Sequence, residues 1–171
     1  FYMMHRLSEN LLNQGMSDFL DEKFYRPLGL SYLGYLPLKR MDIHQIPPTE
    51  QDAYFRKKLV RGRVHDPGAA MSGGVAGHAG LFSNAHNLAV LMQMNLQGGY
   101  YGGKQYLQPG TLSKFTKKHF KDNRRGLGWD KPSFYESYNV TSRFSSASTF
   151  GHTGFTGTAV WVDPEFDLVY V

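Results

Sequence analysis

The first part of the chain carries apolar residues at helical spacing. Met3, Leu7 and Leu11 recur every four positions, which predicts an amphipathic helix over residues 2–14. Gly15 stands where helices commonly end in the left-handed conformation. We therefore expect one apolar helix face and a break at Gly15.

A second helix is predicted to follow directly. Ser17 is suited to be its N-cap, because a serine hydroxyl can accept a hydrogen bond from an unpaired helix N–H. Leu20 and Phe24 are then expected to face the core. Pro27 and Gly29 should close this helix.

The middle of the chain is predicted to hold a long loop and then short elements. Residues 31–76 show little periodicity and are punctuated by prolines, so a loop is expected there. The elements predicted after it are a helix from a Ser83 N-cap to Gln97, a hairpin over residues 100–107 and a helix that begins at Pro109.

The last part of the chain has the pattern of consecutive strands. Short apolar runs are bounded by glycine, proline and aspartate, which is typical of strands joined by turns. The predicted strands cover residues 126–129, 150–153, 158–162 and 168–171. Helices followed by consecutive antiparallel strands predict an α+β fold, and no domain boundary is visible.

The amino-acid composition limits the classes of protein to which this chain can belong. Of the 171 residues, 41% are hydrophobic and 19% are charged, which is ordinary for a globular domain. The lack of cysteine excludes disulfides, thiolate metal sites and a cysteine nucleophile. No run of about 18 apolar residues occurs, so no transmembrane helix is predicted. The net charge of +5 comes partly from residues 117–125, which we interpret as a solvated helix end and not as a nucleic-acid site.

Residues 151–157, Gly-His-Thr-Gly-Phe-Thr-Gly, carry the strongest chemical signal. His152 and Thr153 are bracketed by glycines directly before an apolar hairpin. Glycines allow a backbone or a ligand to approach a strand edge closely, and such an edge can offer N–H groups to a substrate oxyanion. The alternative interpretation is a glycine-rich turn with an incidental histidine.

Two further histidines are candidates for a cleft. His65 and Asp66 resemble part of a metal site or of a proton relay. Because no third ligand stands at a suitable spacing, we interpret them as residues whose hydrogen bonds order a loop. His78 lies among small residues next to Gly80 and is the better candidate for bordering a cleft. We predict no metal site and no organic cofactor.

Three stretches, in this order, resemble one family. Residues 24–30 contain Pro-Leu-Gly, residues 77–83 read Gly-His-Ala-Gly-Leu-Phe-Ser before a leucine-rich helix, and residues 151–164 join Gly-His-Thr-Gly to an apolar strand. The set resembles the serine β-lactamase, penicillin-binding-protein and class C-type esterase superfamily. It looks closest to a bacterial branch sometimes attached to a glycoside hydrolase family 3 domain. The resemblance implies a β-lactamase/transpeptidase-like fold, with an antiparallel sheet packed with helices.

The resemblance also implies a chemistry, namely acyl transfer to a serine in a Ser-x-x-Lys motif, assisted by a Tyr-x-Asn or Ser-x-Asn motif. At the catalytic strand it implies these site residues: His152, Thr153, Gly154 and the oxyanion-binding backbone N–H of Phe155. His78 and Gly80 are expected, from the small residues around them, to line the substrate cleft. Histidine at position 152 lacks the fixed charge of the family's lysine, which favours esters, amides or peptides over β-lactams.

The chain departs from the family pattern at the nucleophile. No serine is followed three residues later by lysine, and the Ser-x-Asn match at residues 8–10 lies inside the first predicted helix, where we interpret it as chance. We expect residues 1–171 to be the C-terminal segment of one β-lactamase-like domain. The N-terminal part of the same polypeptide would carry both missing motifs, and the segment alone is predicted to be inactive.

For the complete protein, these patterns predict a serine hydrolase that acts on an ester, a peptide or a cell-wall-related substrate through an acyl-enzyme. The alternative is a catalytically dead module of the same fold that binds peptidoglycan or a protein partner. An intact upstream Ser-x-x-Lys would favour the enzyme. A periplasmic or extracellular location in a bacterium is expected.

Overall fold

The computed structural model describes residues 1–133 and 140–171. Its chain divides into two compact units, Phe1–Asn87 and Leu88–Val171. The helices are α1 (Tyr2–Leu12), α2 (Met16–Leu20), α3 (Pro67–Met71), α4 (Ala85–Leu96) and α5 (Pro109–Thr116). The strands are β1 (Pro48–Asp52), β2 (Lys58–Arg61), β3 (Tyr100–Tyr101), β4 (Lys104–Gln105), β5 (Phe150–Thr153), β6 (Ala159–Asp163) and β7 (Leu168–Tyr170). In the described ranges, no helix has the length and apolar character needed to cross a bilayer.

In the first unit α1 is confirmed, but its end and the next cap differ from the prediction. Asn13 adopts the left-handed conformation with a φ of 48°, and its N–H binds Glu9 O, so asparagine ends the helix instead of Gly15. Gly15 is the N-cap residue of α2, and Ser17 lies inside that helix.

The apolar side chains that these first helices bury also differ from the prediction. Met3, on the apolar face predicted for α1, is 85% exposed. A π-helical turn over Asp21–Tyr25 follows α2 and changes which side chains face inward. As a result Tyr25 is buried, whereas Leu20 and Phe24 are only half-buried.

The long loop predicted over residues 31–76 is wrong in part, because it contains an antiparallel β1–β2 hairpin and helix α3. Polar residues dominate this hairpin, so it leaves no hydrophobic period. Arg56 orders it instead: its Nε donates to Asp52 Oδ2 at 2.7 Å and its Nη1 donates to Val64 O at 2.6 Å.

Helix α4 begins at Ala85, one residue later than the predicted Ser83 N-cap implies. Asn84 Oδ1 accepts a hydrogen bond from the Asn87 N–H at 2.8 Å, so Asn84 and not Ser83 caps the helix. In the second unit, Met92 of this helix is buried together with Phe150 of β5 and Val162 of β6. This cluster is the core beneath the C-terminal sheet.

The C-terminal sheet has the strand order β5-β6-β7, and neighbouring strands in it are antiparallel. Three of the four strands predicted in this part are therefore confirmed, as are the small β3–β4 hairpin and the start of α5 at Pro109. The strand predicted over residues 126–129 is wrong: an isolated bridge between Asp130 and Gly151 is found next to it. Helices and small antiparallel sheets together confirm the α+β class.

Candidate functional site

The motif singled out in the sequence lies at the end of β5, in the second unit. His152 is paired with Val160 across the β5–β6 ladder, and Thr153 with Ala159. The chain then turns, and the Gly154 N–H donates to Thr158 O at 2.7 Å. His152 is half-buried, whereas Thr153 and the residues after it are exposed, with the Phe155 side chain 91% exposed.

The glycines around His152 and Thr153 are required by contacts inside the hairpin. A Cβ at Gly151 would overlap the Trp161 ring and Val160 O, both on the neighbouring strand. A Cβ at Gly154 would overlap the Thr158 side chain. Close approach to this strand is therefore confirmed: the approaching groups are Val160 and Trp161 of β6 at Gly151, and Thr158, directly before β6, at Gly154.

The side of β5 that faces away from β6 is organised by Asp130. The Asp130 N–H donates to Gly151 O at 2.8 Å, and the Gly151 N–H donates to Asp130 O at 3.0 Å. Backbone groups of alternate residues in a strand point to the same side, so those of Thr153 point to the side that Asp130 occupies at Gly151. The predicted substrate edge thus begins where the Asp130 bridge ends.

A cluster of two arginines and one aspartate lies beside His152, and the sequence analysis missed it. Arg124 binds Asp130 through Nε–Oδ1 at 2.6 Å and Nη2–Oδ2 at 2.9 Å. Arg125 Nη2 lies 3.4 Å from Asp130 Oδ2, and Arg125 Nη1 lies 2.9 Å from His152 Nε2. The Asp130 side chain is only 4% exposed. The sequence analysis expected no fixed positive charge at this edge, because position 152 is a histidine. The Arg125 guanidinium group next to the His152 ring supplies one.

The charge state of Asp130 follows from two opposing effects. Burial by itself would raise the pKa of its carboxyl, because burial penalises the charged form. Hydrogen bonds from the Arg124 side chain and the Lys131 N–H, with the charges of Arg125 and Arg124, outweigh burial and hold this pKa below its usual value. The ionised carboxylate can therefore bind both guanidinium groups at neutral pH.

The contacts of the His152 ring assign its tautomer. Nδ1 lies 2.7 Å from Thr153 O, which can only accept, so Nδ1 carries the proton. Nε2 lies 2.9 Å from Arg125 Nη1, which can only donate, so Nε2 is the acceptor. The ring is thus held between an acceptor at Nδ1 and a donor at Nε2.

Asp163 anchors the segment that leads into β5. Its carboxylate accepts hydrogen bonds from Ser146 Oγ at 2.5 Å, from the Ser146 N–H at 2.8 Å and from Thr149 Oγ1 at 2.7 Å. Burial opposes its ionisation, but these bonds outweigh burial and lower the pKa of Asp163. Lys131 Nζ also donates to Thr149 O, at 2.9 Å, so the start of β5 is held from two directions.

The two predicted cleft residues outside this motif, His78 and Gly80, lie in the first unit. His78 Nε2 lies 3.2 Å from Asp66 Oδ1, and its ring meets the Tyr2 ring edge-on with centroids 4.5 Å apart. Gly80 is buried with a φ of 109°, and a Cβ there would overlap Gly74 O. Gly80 therefore belongs to a tight turn, and a role of either residue in a cleft stays a prediction.

His65 and Asp66 make contacts that order their loop, which is the interpretation that the sequence analysis favoured. His65 Nε2 lies 3.2 Å from Glu50 Oε2, and Asp66 caps α3 by accepting a hydrogen bond from the Ala69 N–H at 2.7 Å. Across residues 1–133 and 140–171, no group of three or more histidine, aspartate or glutamate side chains is placed to hold a metal ion.

Comparison with known proteins identifies relatives across almost the whole chain. The family model described as Beta-lactamase matches residues 2–171. An Escherichia coli K12 protein named as a candidate D-alanyl-D-alanine carboxypeptidase is 36% identical over 176 residues, which cover 96% of this chain. The same alignment covers 41% of that relative, so the chain spans about two-fifths of the length of the curated protein that it matches.

Solved structures share the fold. A penicillin-binding-protein homologue from Caulobacter crescentus superposes with a TM-score of 0.62 at 22% identity, over 94% of this chain and 47% of its own. A β-lactamase from Mycobacterium bovis gives 0.61 at 20% identity, over 94% and 48%. The predicted β-lactamase/transpeptidase-like fold is confirmed, while attachment to a glycoside hydrolase domain stays a prediction. The chain belongs to the Beta-lactamase family of serine hydrolases.

Proposed function

We propose that this chain is the part of a serine hydrolase that presents the end of β5 to an acyl substrate. The observation that carries the proposal is the position of His152 and Thr153 where β5 leaves the Asp130 bridge, with the imidazole held by Arg125. The attacking serine is proposed to lie in another part of the same polypeptide. The lack of any Ser-x-x-Lys in these 171 residues supports that division.

In the proposed reaction, the serine oxygen bonds to the substrate carbonyl carbon and gives its proton to a base outside this chain. The resulting oxyanion accepts hydrogen bonds from the N–H of that serine and from the Phe155 N–H, the donor that the family resemblance assigns. The C–N or C–O bond then breaks, and the leaving group takes the proton. Water attacks the acyl-enzyme in the same way and releases a carboxylic acid and the free serine.

The substrate we propose is a cell-wall-related peptide, with esters as the alternative. The name of the E. coli relative supports a peptide bond as the target. The Arg125 guanidinium beside His152 supports an anionic substrate, because guanidinium groups bind carboxylates well. We propose a periplasmic or extracellular location, since a cell-wall peptide would be met there.

The test is covalent labelling of the full-length protein with a fluorescent penicillin and with a fluorophosphonate, followed by peptide mass spectrometry. We expect one adduct, on a serine of a Ser-x-x-Lys motif outside residues 1–171, and its loss when that serine is replaced by alanine. Residues 1–171 alone should stay unlabelled. Heat-denatured full-length protein is the control for nonspecific labelling.

The same experiment separates the enzyme from the binding module. A folded full-length protein that neither probe labels, but that sediments with isolated peptidoglycan, would replace the hydrolase by a catalytically dead peptidoglycan-binding module. Labelling of a serine within residues 1–171 would contradict the proposed division of the active site.

A further inference from the structure

We propose that Arg125 is a positioning residue for His152, which it fixes as the Nδ1–H tautomer, and that Arg125 supplies the permanent positive charge of the β5 edge. The effect on turnover rests on the proposed function, whereas the effect on the ring can be measured without any reaction.

Arg125 is itself anchored. Its Nη2 lies 3.4 Å from Asp130 Oδ2, and the same carboxylate is bound at both oxygens by Arg124. Asp130 is also joined to Gly151, the residue before His152, by two main-chain hydrogen bonds. The carboxylate that holds the guanidinium and the strand that holds the imidazole are therefore attached to each other.

The His152 ring has one orientation that satisfies both of its partners. A half-turn of the ring would replace Nδ1 and Nε2 by carbon atoms, and the bonds to Thr153 O and to Arg125 would both be lost. In the observed orientation Nε2 must stay unprotonated to accept from Arg125. The ring is therefore an acceptor held in place.

A guanidinium group stays protonated throughout the range in which proteins work, whereas a neutral imidazole carries no charge. The Arg125 side chain is 47% exposed, so its remaining N–H groups can be reached from solvent. Two residues thus stand in for the family's lysine: Arg125 supplies the charge, and His152 shapes the strand end.

The test is nitrogen NMR of full-length protein labelled with ¹⁵N-histidine, with the His152→Gln variant used to identify the signals of this ring. In the unmodified protein we expect a protonated Nδ1 and an unprotonated Nε2. In Arg125→Met, the donor to Nε2 is gone, so a fraction with the proton on Nε2 should appear. Arg125→Lys keeps a charged donor and should restore part of the original pattern.

Arg143→Met is the matched control, because it removes an exposed arginine whose guanidinium lies over the Phe144 ring, 4.7 Å from its centroid. This variant should leave the His152 signals and the turnover unchanged. With an acyl substrate, Arg125→Met should lower kcat/KM by at least about tenfold, and Arg125→Lys should recover part of that loss.

Two results would overturn the inference: a proton on Nε2 in the unmodified protein, or His152 signals in Arg125→Met that match those of the control. Both are read from spectra of folded protein, with the far-UV circular dichroism of each variant as the check on folding. A protein that is never acylated would contradict the proposed function alone, since the ring signals would still decide the role of Arg125.

Discussion

Asp130 and Gly151 exchange two main-chain hydrogen bonds, at 2.8 and 3.0 Å, while the Asp130 carboxylate binds Arg124 through both of its oxygens. One residue thus joins a charged cluster to the strand that carries His152.

Asp130→Asn should destabilise the fold, because it keeps the main-chain bridge but leaves the two guanidinium groups without their counter-charge. We expect the free energy of unfolding to fall by about 3 kcal/mol, the lower end for a broken buried ion pair, because Arg124 is partly exposed. Urea denaturation measures this change. Asp122→Asn, at an exposed aspartate, is the control, and equal midpoints for the two variants would contradict the prediction.

Acid should destabilise the protein through Asp130 and Asp163. Both have a pKa lowered in the folded state, so folding favours their ionised forms. This stabilisation is complete above the unfolded-state pKa of about 4 and is lost as the pH falls through the lower folded-state pKa. The free energy of unfolding should therefore decrease from about pH 5 towards about pH 2. Asp163→Asn should make that decrease shallower, and an unchanged slope would argue against its part.

Gly151→Ala should disturb β5 directly, since the added Cβ overlaps the Trp161 ring and Val160 O. We expect a loss of about 2 kcal/mol in the free energy of unfolding, as for other overpacked sites. Gly110→Ala is the matched control, because nothing lies within 4 Å of a Cβ there. Gly110 is in α5, where alanine should stabilise by up to about 1 kcal/mol. Equal denaturation midpoints for both variants would contradict the packing argument.

His152→Ala should impair turnover in the full-length protein and leave its stability nearly unchanged, because the side chain is only half-buried. Loss of the ring that holds Arg125 and Thr153 in place should weaken binding of the transition state by about 1.4 kcal/mol, which corresponds to a tenfold lower kcat/KM. Steady-state kinetics with a peptide or ester substrate measure this effect. His86→Ala, at an exposed histidine of α4, is the control. Full activity in His152→Ala would show that this end of β5 does not act on the substrate.

The elements that the sequence predicted well are those whose apolar residues repeat locally. Helices α1, α4 and α5 and strands β5, β6 and β7 all appear near their predicted positions, because their periods arise from residues a few places apart. The β1–β2 hairpin was missed because Arg56 and its carboxylate partners order it, and ion pairs leave no hydrophobic period.

By itself, the sequence determined the α+β class, the family resemblance and the strand that carries His152 and Thr153, since each depends on short runs of neighbouring residues. The tertiary structure alone decided that Arg125 meets His152 and that Asp130 bridges to Gly151. Arg125 and His152 are 27 positions apart. Contacts between residues so far apart in the sequence arise from the path of the folded chain. That path places the anchored Arg125 guanidinium beside the end of β5. The local pattern around His152 predicts the strand but not the side chains that surround it.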